Sequence, residues 1–212
     1  MLEIRTYPLG PIQTNCYLIL NCDGECLVID PGEEGDRIIA EIEKLNGKPL
    51  AILLTHAHFD HIGAVDQVRD HFDIPCHIHE AEHEWLENPH LNGSSRYPGL
   101  PLVKNKAADH FLQEGELKIG SFRVDVRHTP GHSPGSVSFI FKEAHLAVVG
   151  DTLFRGSIGR TDLPGGSTET LLQSIHDKLL TLDEEFTVYP GHGPSTTPEE
   201  EKDMNPFLNG FS

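Results

Sequence analysis

The chain has 212 residues, 37% of them hydrophobic, which is enough to bury a sizeable core in one large domain of mixed secondary structure spanning residues 1–212. A formal net charge of -17 without a local basic patch argues against nucleic-acid partners and anionic membranes. Four cysteines are too few for a disulfide scaffold, no apolar run approaches the roughly 18 residues of a membrane span, and the opening MLEIRTYPLG lacks a charged leader followed by an apolar stretch. A soluble cytoplasmic protein is expected.

In chain order, CYLIL (16–20) and CLVID (26–30) are short apolar runs of the kind that form strands buried on both faces. Cys22 and Cys26 flank the turn-forming Asp23 and Gly24, and buried thiols are expected there ahead of a redox or metal pair. Cys16 and Cys76 sit in apolar surroundings and read as core. GDRIIAEIEKLNG (35–47) has helical spacing and an Asn-Gly stop, AILLT (51–55) is a buried strand, and IGAVDQVRDHF (62–72) is helical again. Residues 88–108 have little periodicity and much Gly, Pro, Ser and Asn, so a long loop of functional or mobile character is expected. FRVDVRHTP (122–130) and GSVSFIF (135–141) alternate as strands, HLAVVG (145–150) is a further buried strand, and TETLLQSIHDKLLTL (168–182) is a helix. Runs of strands alternating with single helices imply a sheet-rich α/β sandwich with helices packed outside.

Between the strand at 51–55 and the helix that follows lies THAHFDHIG (55–63), which packs His56, His58, Asp60 and His61 into six positions. Capping by Asp60 or a satisfied core histidine explains any one of these residues but not the set. Where the backbone leaves a buried strand, alternate side chains at His56 and His58 point to one side, while Asp60 and His61 start a helix and approach from another angle. Imidazole nitrogen and carboxylate oxygen without thiolate suit zinc, iron or manganese. Four local ligands can close one structural site, whereas an open catalytic or two-metal site needs more. Candidates lie downstream: His132 in HTPGHSPGSVSF, Asp151 in VVGDTLF and His192 in VYPGHGP, each following an apolar run and each beside glycine.

THAHFDHIG, TPGHSPGS, GDTLF and YPGHG resemble, in order and approximate spacing, the motifs of the metallo-β-lactamase-fold hydrolases, and among them the glyoxalase II-like (hydroxyacylglutathione hydrolase-like) group. The match runs from NCYL to NPFL. The resemblance implies a four-layer αββα sandwich with two divalent metal ions per chain, zinc first, with iron or manganese as alternatives. It would place His56, His58 and His132 on one metal, Asp60, His61 and His192 on the second, and Asp151 as the bridge. Two ions roughly 3.5 to 4 Å apart can share a hydroxide generated at neutral pH, polarise a carbonyl and stabilise a leaving group. Asp60 gains a second role, since an oxygen not committed to metal can orient the attacking species and accept its proton.

The segment GDTLFRGSIGRTDLPGG (150–166) resembles the glyoxalase II-like loop after the bridging aspartate, and implies hydrolysis of thioesters such as S-2-hydroxyacyl conjugates of glutathione or another small thiol. Within it Arg160 either binds a substrate carboxylate or pairs with Asp162. One departure stands out: glyoxalase II enzymes carry a C-terminal helical region with basic residues that bind glutathione, and only 20 residues follow His192 here, including the acidic PEEEKD. The main alternative is a mononuclear-iron persulfide dioxygenase, whose loop also contains GRTD and which would use His56, His132 and Asp151. A lactonase, a β-lactamase or a nuclease of the same fold ranks below it. Asp30 in VIDPG reads as a turn residue or a support of the metal loops, and His77, His79 and His83 as surface or edge-strand residues. Trp85 and Tyr97 either line the entrance or simply pack. A small-molecule thioester is the expected partner; the sequence does not set the oligomeric state.

Overall fold

The structure, a computed structural model, describes residues 2–209. The chain divides into two compact units, one comprising residues 1–112 and 118–122, the other residues 113–117 and 123–212. Each has its own sheet and its own hydrophobic core. Among the described residues no helix is long and apolar enough to cross a membrane.

The first unit is built on a six-stranded sheet in simple sequence order. Strands β1 (Glu3–Leu9), β2 (Thr14–Leu20) and β3 (Glu25–Ile29) pair antiparallel. Strands β4 (Lys48–Leu53), β5 (Cys76–His79) and β6 (His110–Leu112) continue it in parallel. All seven residues of β2 are buried, the burial that a near-continuous apolar run predicts. Helix α1 (Gly35–Lys44) buries Gly35, Ile38, Ile39 and Ile42, one stripe at helical spacing. It stops as expected: Asn46 takes a left-handed φ of 52° and the Gly47 amide returns to the Ile42 carbonyl at 2.9 Å.

The helix expected over 62–72 is instead two, α2 (Phe59–Ile62) and α3 (Val65–Phe72). The break has a packing cause. The amide of Ala64 donates to the Pro31 carbonyl at 2.9 Å, and a Cβ on Gly32 would lie 1.9 Å from the Asp60 carbonyl oxygen. The turn after β3 therefore presses backbone to backbone on α2, which only glycine at position 32 permits. Short 3-10 turns at Glu80–Trp85 and Ser94–Arg96 complete the unit.

The second sheet has five strands in the order β13-β10-β9-β8-β7. Its strands are β7 (Gly115–Ile119), β8 (Phe122–His128), β9 (Val137–Phe141), β10 (Leu146–Gly150) and β13 (Thr187–Pro190); the short pair β11 (Leu153–Phe154) and β12 (Ser157–Ile158) follows β10. The predicted helix over 168–182 is α-helical as α4 (Thr168–Ser174) and then widens into a π turn over Ile175–Leu179, with Leu171, Ile175 and Leu179 buried along one line. Helix α5 (Pro198–Met204), not anticipated from the sequence, starts with Thr197 as N-cap and proline in its first turn.

All four cysteines are free thiols. Cys16, Cys26 and Cys76 are buried as expected, with burial pushing the Cys26 and Cys76 thiols up to about 12, whereas Cys22 is exposed and corrects the expectation of a buried pair. The reading of His77 also changes: β5 lies between β4 and β6, so His77 is an interior residue, 8% exposed, opposite His110 with ring centroids 4.7 Å apart. Burial first, then His110, holds its imidazole down to about 4, against an opposing pull from Asp109. A histidine whose folded pKa is depressed takes up its proton more readily when unfolded, so stability falls as pH drops from about 6.5 towards 4. Between pH 7 and pH 5 this group should remove about 2 kcal/mol. Chemical denaturation at the two pH values should show that loss in the wild type and a smaller one in His77→Gln.

Candidate metal centre

In the first unit the candidate ligands follow the carboxyl ends of β3 and β4, which are parallel neighbours and so deliver their loops to the same edge. The ring centroids of His56 and His58 are 4.9 Å apart and those of His56 and His61 4.1 Å. Asp30, His56 and His61 offer ligand-type atoms within 4.8 Å of one another, all buried. Hydrogen bonding separates their roles. Asp30 accepts from the Thr55 amide at 2.8 Å and from Thr55 Oγ1 at 2.5 Å, and its Oδ2 lies 2.9 Å from His61 Nδ1. The single hydroxyl proton of Thr55 goes to Asp30, so toward His56 Nδ1, 3.1 Å away, the same oxygen acts as acceptor. Both rings thus carry their proton on Nδ1 and present Nε2 as the lone-pair nitrogen, the arrangement of a ligating histidine. Asp30 orients the candidate ligand His61 directly and reaches His56 through Thr55, beyond the part of a turn residue.

Asp60 and His61 occupy the first turn of α2. Asp60 Oδ2 accepts from Thr14 Oγ1 at 2.8 Å and lies 3.5 Å from His61 Nε2. That second distance exceeds a hydrogen bond yet is close to the edge of a ligand tetrahedron, about 3.3 Å for ligand bonds of 2.0–2.1 Å. His58 packs against Trp85, ring centroids 5.6 Å apart, so Trp85 packs on a candidate ligand. Tyr97 packs against Phe59 at 5.3 Å.

In the second unit Asp151 and His192 follow the carboxyl ends of the parallel strands β10 and β13, and the Gly191 amide donates to the Gly150 carbonyl at 2.7 Å, setting the two residues side by side. His132 lies in the turn between β8 and β9. Its Nε2 and that of His192 each lie 3.6 Å from Asp151 Oδ2, the same spacing as in the first unit. His132 Nδ1 donates to the Arg160 carbonyl at 2.8 Å, which again leaves Nε2 as the lone-pair nitrogen. A Cβ on Gly159 would meet the Asp151 carbonyl oxygen at 1.9 Å, so the 150–166 loop packs directly on the backbone of the candidate bridge. The Arg160 guanidinium forms a bidentate pair with Asp162, at 2.7 and 2.8 Å, whose hydrogen bonds hold the Asp162 carboxyl down to about 2. The structure shows the pairing with Asp162, one of the two readings of Arg160.

Sequence reasoning passed over Thr14, Thr55 and Glu82. Glu82 is fully buried and accepts from the Ala57 amide at 2.6 Å, fixing the backbone between His56 and His58. In the sequence it sits in HEAEHEW, a charged stretch indistinguishable from a solvated surface turn. Thr55 had a signal, as the residue that ends the β4 run one place before the first histidine.

The donors are imidazole nitrogens and carboxylate oxygens, a set that fits divalent ions. Because Asp30 holds both Thr55 and His61, Asp30→Asn should leave the fold intact and weaken metal binding about 10- to 100-fold. Titration against a chelator of known affinity, with circular dichroism as the control for folding, checks this.

The sequence profile described as the metallo-beta-lactamase superfamily matches residues 9–192. The chain is 55% identical over 209 residues to the "Probable metallo-hydrolase YqgX" of Bacillus subtilis, with 98% of each chain covered. It is 41% identical over 213 residues to the "Hydroxyacylglutathione hydrolase GloC" of Haemophilus influenzae, with both chains covered in full. Among solved structures, the BLEG-1 B3 metallo-β-lactamase matches with a TM-score of 0.96 at 54% identity, covering 98% of this chain and 100% of that one. TTHA1623 in a di-iron-bound form matches with a TM-score of 0.87 at 41% identity, covering 96% and 100%. Two sheets, each with helices packed on it, agree with the αββα sandwich expected from the motifs. The chain belongs to the metallo-β-lactamase superfamily and is a metal-dependent hydrolase of that fold.

Proposed function

We propose that the protein hydrolyses thioesters, with S-2-hydroxyacyl conjugates of glutathione or another small thiol as the substrate class, at a dinuclear centre. In this reading His56, His58 and His132 would hold one ion, Asp60, His61 and His192 the other, and Asp151 would serve both. When bound, such a pair of ions supplies a nucleophile at neutral pH and polarises the substrate carbonyl. The chain's own residues do the rest. Asp30, Thr55 and the Arg160 carbonyl hold three imidazoles in the Nδ1-protonated form, so no tautomer change is needed for Nε2 to ligate. Thr14 steadies the Asp60 carboxylate, whose remaining acceptor capacity serves the proton of the attacking water.

The observation that carries the reading is the repeated carboxylate-to-Nε2 spacing of 3.5–3.6 Å at Asp60 and Asp151. It is supported by full-length similarity to a protein named hydroxyacylglutathione hydrolase. Similarity to BLEG-1 makes β-lactam hydrolysis the second reading. Zinc is the first choice of ion, with iron or manganese fitting the same donors; the di-iron form of TTHA1623 supports iron as an occupant.

Protein purified without added metal should contain two divalent ions per chain and cleave S-lactoylglutathione without oxygen. Asp151→Ala should lower the content below one ion per chain and reduce kcat/KM at least about a thousandfold, because a bridging carboxylate serves both positions and screens their mutual repulsion. One ion per chain in fully active protein, or oxygen uptake matching persulfide consumption, would replace this reading with a mononuclear dioxygenase.

A further inference from the structure

We infer that a cavity of about 190 Å³ beside Asp60 receives a neutral, apolar substituent attached close to the scissile carbonyl, an inference that deepens the thioester reading and rests on it for the position of that carbonyl. The cavity lies wholly within the first unit. Ile12 from the β1–β2 turn, Phe59 from α2, and Leu100 and Val103 from the 88–105 segment form its apolar lining, and Asp60 is part of its wall.

Three observations carry the assignment. The first is order. Residues 88–108 have the composition of a long loop of functional or mobile character, yet Asn92 is fully buried and donates to the carbonyls of Trp85 and Val103 at 3.0 and 2.9 Å. Asn105 donates to the Ile62 carbonyl at 2.9 Å, and the Phe59 amide to the Asn92 carbonyl at 3.0 Å. These bonds tie the segment to the helix that carries Asp60 and His61, so it is a built wall.

The second is exposure. Ile12 (43%) and Leu100 (39%), both in the lining, keep large apolar side chains exposed, and Tyr97 (42%) packs on the lining residue Phe59. Exposed apolar side chains beside a reactive centre are the surface expected of a binding groove. The third is charge. The lining contains two carboxylates, Glu33 and Asp60, and no lysine or arginine. With Asp60 committed to an ion, Glu33 remains as the carboxylate opposing an anionic substituent, and no lysine or arginine in the lining offsets it, whereas a neutral substituent gains from apolar contact. For size, an apolar cavity of about 150 Å³ holds a benzene ring, so this one takes a chain of about six carbons.

The test uses the purified full chain and two substrate series. One extends the acyl group of N-acetylcysteamine thioesters from acetyl to hexanoyl, with an adipoyl thioester as the carboxylate-ended control; the other extends the thiol of acetyl thioesters from ethyl to hexyl. In one series kcat/KM should rise by up to about fourfold per methylene, and the series that responds identifies which side of the carbonyl enters the cavity. Adipoyl should fall at least about tenfold below hexanoyl. Independently of turnover, the neutral S-hexyl thioether of N-acetylcysteamine should bind by calorimetry, and Ile12→Glu and Leu100→Glu, on separate surface loops, should each weaken it at least about tenfold. Thioesters cleaved with less than about twofold dependence in both series, with thioether binding unmoved by either variant, would overturn the cavity and leave the thioesterase reading standing. Thioether binding that depends on Ile12 and Leu100 in a protein that cleaves no thioester would keep the cavity and remove the thioesterase.

Discussion

Asp30 is the residue on which the first unit's metal-binding edge depends. Its carboxylate is buried and gathers the Thr55 amide, the Thr55 hydroxyl and His61 Nδ1. A buried carboxylate is tolerated only where hydrogen bonds replace its lost hydration, and here those bonds also fix two imidazole rings. The same contacts align the carboxyl ends of β3 and β4, since Asp30 directly follows one and Thr55 lies two residues past the other. Site geometry and strand register are therefore coupled: a slip of one residue between β3 and β4 would withdraw the carboxylate from Thr55 and with it the Thr55 contact to His56.

The second unit reaches the same result by different means. A backbone carbonyl, that of Arg160, takes the place of a carboxylate behind His132, and the loop that supplies it packs through Gly159 on Asp151. Helix α5 braces that region from below. Its Glu201, 1% exposed, accepts from the Gly156 amide, from Thr196 Oγ1 and from Asn205 Nδ2, while Thr196 pairs with Val188 in β13, the strand that leads to His192. Buried carboxylates thus recur as Asp30, Glu82 and Glu201, each used to hold backbone near a candidate ligand. Such networks are costly when half satisfied, which favours one geometry over its neighbours.

The apolar wall built by residues 88–105 adds a separate layer. Its two buried asparagines make no contact with chemistry; they place leucine and valine side chains where solvent would otherwise reach α2. The same fold can present different walls at this position while keeping the ligand-bearing edges intact, which is how function varies on a shared scaffold.

Much of the candidate ligand set was legible in the sequence, because metal chemistry demands residue types that rarely cluster otherwise. His56, His58, Asp60 and His61 lie within one turn of chain, and His132, Asp151 and His192 each follow an apolar strand signal. The buried strands and the Asn-Gly stop of α1 were equally plain, since hydrophobic periodicity and turn chemistry are local properties. Tertiary structure decided what depends on partners distant in sequence. Asp30 looks like a turn residue until Thr55 and His61 are placed against it, and Glu82 looks like surface until Ala57 lies beside it. The helix predicted over 62–72 splits because the distant Pro31 carbonyl takes the Ala64 amide, and His77 is interior because β6 covers its edge. Residues 88–108 have a loop's composition, yet Asn92 and Asn105 within them are buried and hydrogen-bonded to backbone carbonyls. Composition reports which residues can form regular structure, while rigidity follows from where buried amides find their acceptors, and those acceptors lie elsewhere in the chain.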